Sequence, residues 1–155
     1  MTRTANDHTF VLERDFAHAR NLVFFAFASH EAKKAWFGDT ENWIVEEYTF
    51  DFREGGREYY RGRPGKDGPV IENDTRYIQI VPDERIIISY PMWLNGKMIT
   101  VSQQTLEFSE VSGGTHLKLR EQIVFLDGSD HLDNRIEGTK GLLEGLAAYL
   151  DKTYV

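Results

Sequence analysis

Three side chains stand out as groups able to act together on a small molecule: Arg76, Gln104 and Glu121. A guanidinium holds a carboxylate or carbonyl, a primary amide donates and accepts, and a carboxylate orients a hydroxyl or moves a proton. Turn chemistry places them. Ser112-Gly113-Gly114 separates two alternating segments, Ile99 to Phe108 and Thr115 to Phe125, which read as a hairpin. Pairing them about that turn sets Phe108 near Leu117, Leu106 near Leu119, Gln104 near Glu121 and Ser102 near Ile123, all on one face. Turning Glu72 to Val81 through Pro82-Asp83-Glu84 into Arg85 to Tyr90 sets Ile80 near Ile86 and Ile78 near Ile88. Arg76 and Tyr90 then lie further out on the same concave face. Two readings stand for this set: a polar anchor inside an aromatic pocket, or a salt bridge at the rim of a sheet, since buried charges need partners. A slip of one residue would turn the whole set outward.

Other chemistry finds little support. The histidines are His8, His18, His30, His116 and His131, and none has metal-site spacing. The segment Asp127 to Asp133 is oxygen-rich but lacks the ligand spacing of a calcium loop. It reads as a solvated loop with Asp133 as N-cap of the helix that follows. With no cysteine in the chain, a disulfide scaffold, a thiolate metal site and a cysteine nucleophile are excluded. No nucleophile elbow, P-loop or dinucleotide fingerprint occurs. No metal, no cofactor and no catalytic residue is therefore expected, although 25 acidic residues guarantee chance carboxylate pairs.

The elements that must hold these groups follow from composition and periodicity. The chain has 155 residues, enough for one domain over residues 1–155 with a core of its own. A formal charge of −7 makes phosphate backbones poor partners. The start, MTRTANDHTF, lacks the apolar run of a signal peptide, and Leu22 to Ala28 is too short to span a bilayer. A soluble cytoplasmic protein that binds neither nucleic acid nor membrane is expected. Ten Phe, seven Tyr and three Trp either fill the core or line a pocket.

Thr9 to Phe16 alternates as a first strand, and His18 to Phe27 switches to helical spacing. Ser29 caps a short second helix, Glu31 to Trp36, which Gly38 stops. Strands follow over Trp43 to Phe52 and Glu58 to Arg61, joined by the tight turn Glu54-Gly55-Gly56-Arg57, whose glycines supply positive φ or close approach. After Glu72 to Val81 and Arg85 to Tyr90, Pro91 to Lys97 reads as a loop before the last hairpin. The longest helix, about Asn134 to Lys152, carries Ile136, Leu143, Leu146, Ala147 and Leu150 as one apolar stripe. Gly138, Gly141 and Gly145 fall near one face of it, so the helix packs closely there, bends, or leaves room for a ligand. The fold class is α+β: a curved antiparallel sheet of about six to seven strands around a long C-terminal helix, with two short helices after the first strand.

This order resembles the START/Bet v 1-like (SRPBCC) helix-grip superfamily, and within it the family named after the activator of the heat-shock protein 90 ATPase. The local matches are Leu22-Val23-Phe24-Phe25-Ala26, Glu31 leading to Trp36-Phe37-Gly38, Asp51-Phe52-Arg53-Glu54-Gly55-Gly56-Arg57, Tyr77-Ile78-Gln79-Ile80-Val81-Pro82 with Arg85-Ile86, and Leu106-Glu107-Phe108 through Gly113-Gly114-Thr115. The chain departs from the family at Ala19, where proline is common, and at Gly141-Leu142, where Gly-Trp is common. The resemblance implies the fold and a cavity, and no particular reaction.

Three functions remain open. The first is a binding module for a small hydrophobic or amphipathic molecule. Its cavity would be lined from among Trp36, Phe37, Tyr48, Phe50, Arg76, Ile78, Ile88, Tyr90, Trp93, Gln104, Glu121, Leu142 and Tyr149. The second is a cyclase- or hydrolase-type enzyme in which Glu121, Arg76, Tyr48 or Tyr90 has a perturbed pKa. The third, which the family name suggests, is a cofactor of a chaperone ATPase. The chain is expected to be a monomer or a homodimer, with Trp36-Phe37 and Trp93 either on a dimer surface or over the pocket.

Overall fold

The period-two segments that sequence reasoning pairs as the last hairpin are two long strands joined at Ser112-Gly113, with one further strand paired along each outer edge. The computed structural model describes residues 2–37 and 42–155. Among these, the elements run β1 (Ala5–Phe16), α1 (Arg20–Ala28), α2 (His30–Trp36), β2 (Trp43–Phe50), β3 (Arg57–Pro64), β4 (Ile71–Val81), β5 (Arg85–Leu94), β6 (Lys97–Val111), β7 (Gly114–Leu126) and α3 (Leu132–Thr153). The seven strands form one curved antiparallel sheet in the order β1-β7-β6-β5-β4-β3-β2. Gly38, expected to end the second helix, lies outside the described residues.

The hairpin register is as expected: Phe108 opposite Leu117, Leu106 opposite Leu119, Gln104 opposite Glu121 and Ser102 opposite Ile123. In β7 the buried positions are Thr115, Leu117, Leu119, Glu121, Ile123 and Phe125, so one carboxylate sits in an otherwise mostly apolar stripe. The helix α3 covers this face with Leu143, Leu146 and Leu150, each worth roughly 1.5–3 kcal/mol on burial. The same buried stripe also takes Arg135 and Thr139 nearer the helix start. The helix is capped by His131, whose Nδ1 accepts from the Asn134 N–H at 3.3 Å; Asp133, expected as the cap, is in the first turn instead. Ser29 caps α2 as expected, its hydroxyl accepting from the Ala32 N–H. The helix α1 has no side-chain cap and is held by burying Phe24 and Phe27 edge-on against Phe108.

Two further expectations fail, and both failures are local. Tyr77, not Ile78, pairs with Ile88, because a β-bulge lies between Tyr77 and Gln79. Its cause is the Gly55-Gly56 turn: Gly55 N–H donates to the Tyr77 carbonyl, and Gly56 carbonyl accepts from the Tyr77 N–H. Gly55 has φ of +81°, and a Cβ on Gly56 would lie 2.1 Å from the Asp51 carbonyl oxygen. The extra residue shifts the face alternation, so Ile78 is 55 % exposed and Arg76 also faces outward. The segment Pro91 to Lys97 is not a loop either. Strand β5 runs on to Leu94, and only Asn95-Gly96 turn, both with positive φ.

Candidate functional site

Curvature of the sheet leaves a cavity of about 500 Å³ between its concave face, α2 and α3. The apolar floor comes from Ile86 and Ile88 on β5, Leu106 on β6 and Leu119 on β7. Trp36 and Phe37 close one side, and Leu142 and Leu143 of α3 form the roof. Gly138 borders it with nothing within 4 Å of where a Cβ would stand, so this glycine leaves room. Gly145 does the opposite, with its virtual Cβ 3.2 Å from the Trp36 carbonyl oxygen, so the helix packs closely there.

Two buried carboxylates stand at opposite flanks of the sheet. On β7, Glu121 is fully buried and accepts from Tyr90 Oη at 2.9 Å, Ser102 Oγ at 2.8 Å, Gln104 Nε2 at 2.8 Å and Arg135 Nη1 at 3.2 Å. Arg135 also donates to Thr100 Oγ1 at 2.8 Å and lies 3.7 Å from Asp130. On β3, Glu58 accepts from Lys33 Nζ at 2.8 Å, from Tyr48 Oη at 2.7 Å and from Tyr77 Oη at 2.5 Å. Lys33 also lies over the Phe37 ring, 4.9 Å from its centroid. Each carboxylate thus has one cation and several neutral donors, the arrangement that makes a buried charge tolerable.

The tyrosines answer to these carboxylates. Burial, and then the adjacent Glu58, push the Tyr48 and Tyr77 hydroxyls far above the usual phenol range. Burial and Glu121 push Tyr90 up as well, against the opposing pull of Arg135. All three are held as neutral donors, which is the direction away from a phenolate base at neutral pH.

Of the residues singled out from the sequence, Trp36, Phe37, Ile88, Tyr90, Gln104 and Leu142 line the cavity. Glu121 lies beneath it, bonded to two of them, Tyr90 and Gln104. Tyr48 stands behind Glu58, and Phe50 stacks on His30 with ring centroids 5.1 Å apart. Tyr149 packs on the core past the end of the cavity. Arg76, Ile78 and Trp93 are not among the lining residues: the bulge turns the first two outward, and in β5 it is Tyr90 and Met92 that face inward. The cation that meets Glu121 is therefore Arg135, from the helix, and not Arg76 as the sequence reading had it.

Sequence reasoning misses Lys33, Glu58, Tyr77 and Arg135. Two signals were available. Pairing β2 with β3 about the Gly55-Gly56 turn sets Tyr48 opposite Tyr60 and Phe50 opposite Glu58, a carboxylate facing an aromatic strip. Arg135 sits eight residues before Leu143 and eleven before Leu146, on the helical stripe that faces the sheet. Among the described residues no cluster of three or more His, Cys, Asp or Glu side chains could hold a metal ion, and no helix is long and apolar enough to cross a membrane.

The sequence pattern of the family described as Activator of Hsp90 ATPase homolog 1-like protein matches residues 17–151. A solved structure of a protein from Rhizobium leguminosarum is similar at 37% identity and a TM-score of 0.92, over 98% of this chain and 99% of that one. One from Rhizobium loti is similar at 39% identity and a TM-score of 0.88, over 95% and 99%. A Staphylococcus aureus protein of unknown function shares the fold at 17% identity and a TM-score of 0.78, over 96% of each chain. No curated protein matches the sequence.

Proposed function

Because the chain belongs to the Activator of Hsp90 ATPase homolog 1-like family, whose helix-grip fold fixes no single reaction, we propose that it binds a small hydrophobic or amphipathic molecule inside the sheet. The observation that carries this reading is the cavity of about 500 Å³, a volume in the range of small-molecule sites. Its floor is apolar, and polar groups from both flanks of the sheet and from α3 converge around it, as in ligand pockets. Catalysis is the weaker reading. The tyrosines nearest the two carboxylates are held as neutral donors, and each carboxylate already has its own cation. Mass spectrometry under native conditions on freshly purified protein tests the proposal. The expected spectrum contains a complex heavier than the chain by one small molecule, released on denaturation. A spectrum of bare chain that stays bare after incubation with apolar probes would sink it.

A further inference from the structure

The cavity residues of α3 fall into two rows at i, i+4 and i+8, and the rows differ in exposure. Arg135, Thr139 and Leu143 are buried, whereas Asn134, Gly138 and Leu142, each one residue earlier, are exposed or half-buried. The deeper walls are closed to solvent: Tyr77, Ile86, Leu106 and Leu119 are each 3 % exposed or less. A residue that lines a cavity and also meets solvent stands at its mouth. The cavity therefore opens along the outer row of the helix.

Both ends of that row are tied down. Toward the helix start, Arg135 crosses to β5, its Nη2 donating to Met92 Sδ at 3.1 Å, and Asn134 Nδ2 donates to Asp130 Oδ1 at 2.8 Å. Toward the helix end, Gly145 lies against the Trp36 carbonyl of α2. The helix between Arg135 and Gly145 is roughly 15 Å long. In that interval the outer row holds Leu142, which carries a side chain, and Gly138, which carries none and has nothing within 4 Å of a Cβ position. Ile71 of β4 and Met92 of β5, both half-buried cavity residues, supply the lip on the sheet side.

We propose that molecules enter and leave the cavity over Gly138, and that the missing side chain there sets the width of the entrance. This inference rests on the ligand-binding reading above and concerns how the ligand reaches its site. Uptake is sorted by cross-section at the mouth, before the molecule meets the apolar floor. An obstruction on Gly138 hinders passage equally in both directions. Association and dissociation then slow by one factor, and the affinity, which is their ratio, holds. A residue acting only as a wall of the site would change the affinity instead.

The chain has no cysteine, so Gly138→Cys carries a single thiol that methanethiosulfonate reagents convert to a mixed disulfide. Stopped-flow fluorescence of N-phenyl-1-naphthylamine, an uncharged probe, reads both rates, and equilibrium titration reads the affinity. As the adduct grows from methyl to benzyl both rates should fall, by at least about tenfold for benzyl, with Kd changed less than about threefold. Dithiothreitol should restore both rates, which distinguishes an obstructed entrance from a damaged fold. Gly141 is also exposed and has nothing within 4 Å of a Cβ position, but is not among the cavity residues. A benzyl adduct on Gly141→Cys should leave rates and affinity as in its reduced form. Rates indifferent to the adduct on Gly138→Cys overturn the entrance and leave the cavity standing, since the probe still binds. So does a weakened affinity with unchanged association, or equal slowing at Gly141→Cys. A wild type that binds no probe overturns the ligand-binding reading as well.

Discussion

Glu121 and Glu58 are both buried glutamates with one cation each, yet they are built differently. Glu121 lies at the centre of the long β6–β7 hairpin, fully buried, and its cation comes from α3, a helix of 22 residues. Glu58 lies toward the β2 edge, 3 % exposed, and its cation comes from α2, a helix of seven residues. Arg135 donates to Glu121, Thr100 and Met92 Sδ and lies 3.7 Å from Asp130, whereas Lys33 has one acceptor and the faces of Phe37 and Phe50. The first pair therefore ties the long helix to the sheet, and the second ties down the short helix that carries Trp36 at the cavity's side. Burial alone does not set what an ion pair does; the length and anchoring of the element that brings the cation does.

Removing each cation is the strongest way to break this comparison. Arg135→Met leaves Glu121 buried without its cation and strands Thr100, and should cost about 3–5 kcal/mol in urea unfolding. Lys33→Met should cost less, about 3 kcal/mol or below, because two tyrosines still donate to Glu58 and a short helix can shift to admit water. Equal losses would erase the distinction between the two pairs. The cavity flank of α3 gives a smaller effect of opposite sign. Gly138→Ala meets nothing within 4 Å and should stabilise the protein by up to about 1 kcal/mol through helix propensity. A loss there would mean that the backbone at Gly138 is not ordinary helix.

The smallest effect belongs to an exposed counterpart. His116 bonds Glu13 and Asp15 on the outer face, and those hydrogen bonds raise its pKa. A histidine raised above its unfolded value of about 6.5 contributes stability below that pH and loses it as pH climbs through the folded value. His116→Gln should therefore lower the melting temperature slightly at pH 6 and leave it unchanged at pH 9. A larger effect at pH 9 would contradict the assignment.

The contrast also explains what the sequence makes legible. Glu121 is readable because Leu117, Leu119, Ile123 and Phe125 declare an inward stripe, and the Gly113-Gly114 turn fixes which residue of β6 faces it. Glu58 is not, because Arg57-Glu58-Tyr59-Tyr60 has no alternation and follows a charged turn; both faces of β3 are covered there. Arg76 and Ile78 are misplaced for a different reason. The bulge at Ile78 is set by hydrogen bonds from glycines more than twenty residues earlier, and local pattern carries no trace of them. Arg135 escapes notice because its charge suggests solvent, although its spacing puts it on the stripe that faces the sheet, where Glu121 meets it.

Titration of N-phenyl-1-naphthylamine into wild type and into Ile88→Trp, which projects a large ring from the cavity floor, is the most direct measurement of whether the space beneath α3 holds a ligand. The expected result is saturable, blue-shifted fluorescence at one site per chain in the wild type, lost in a variant that still melts cooperatively. Undiminished binding by that folded variant, or no binding by the wild type, would contradict an interior site.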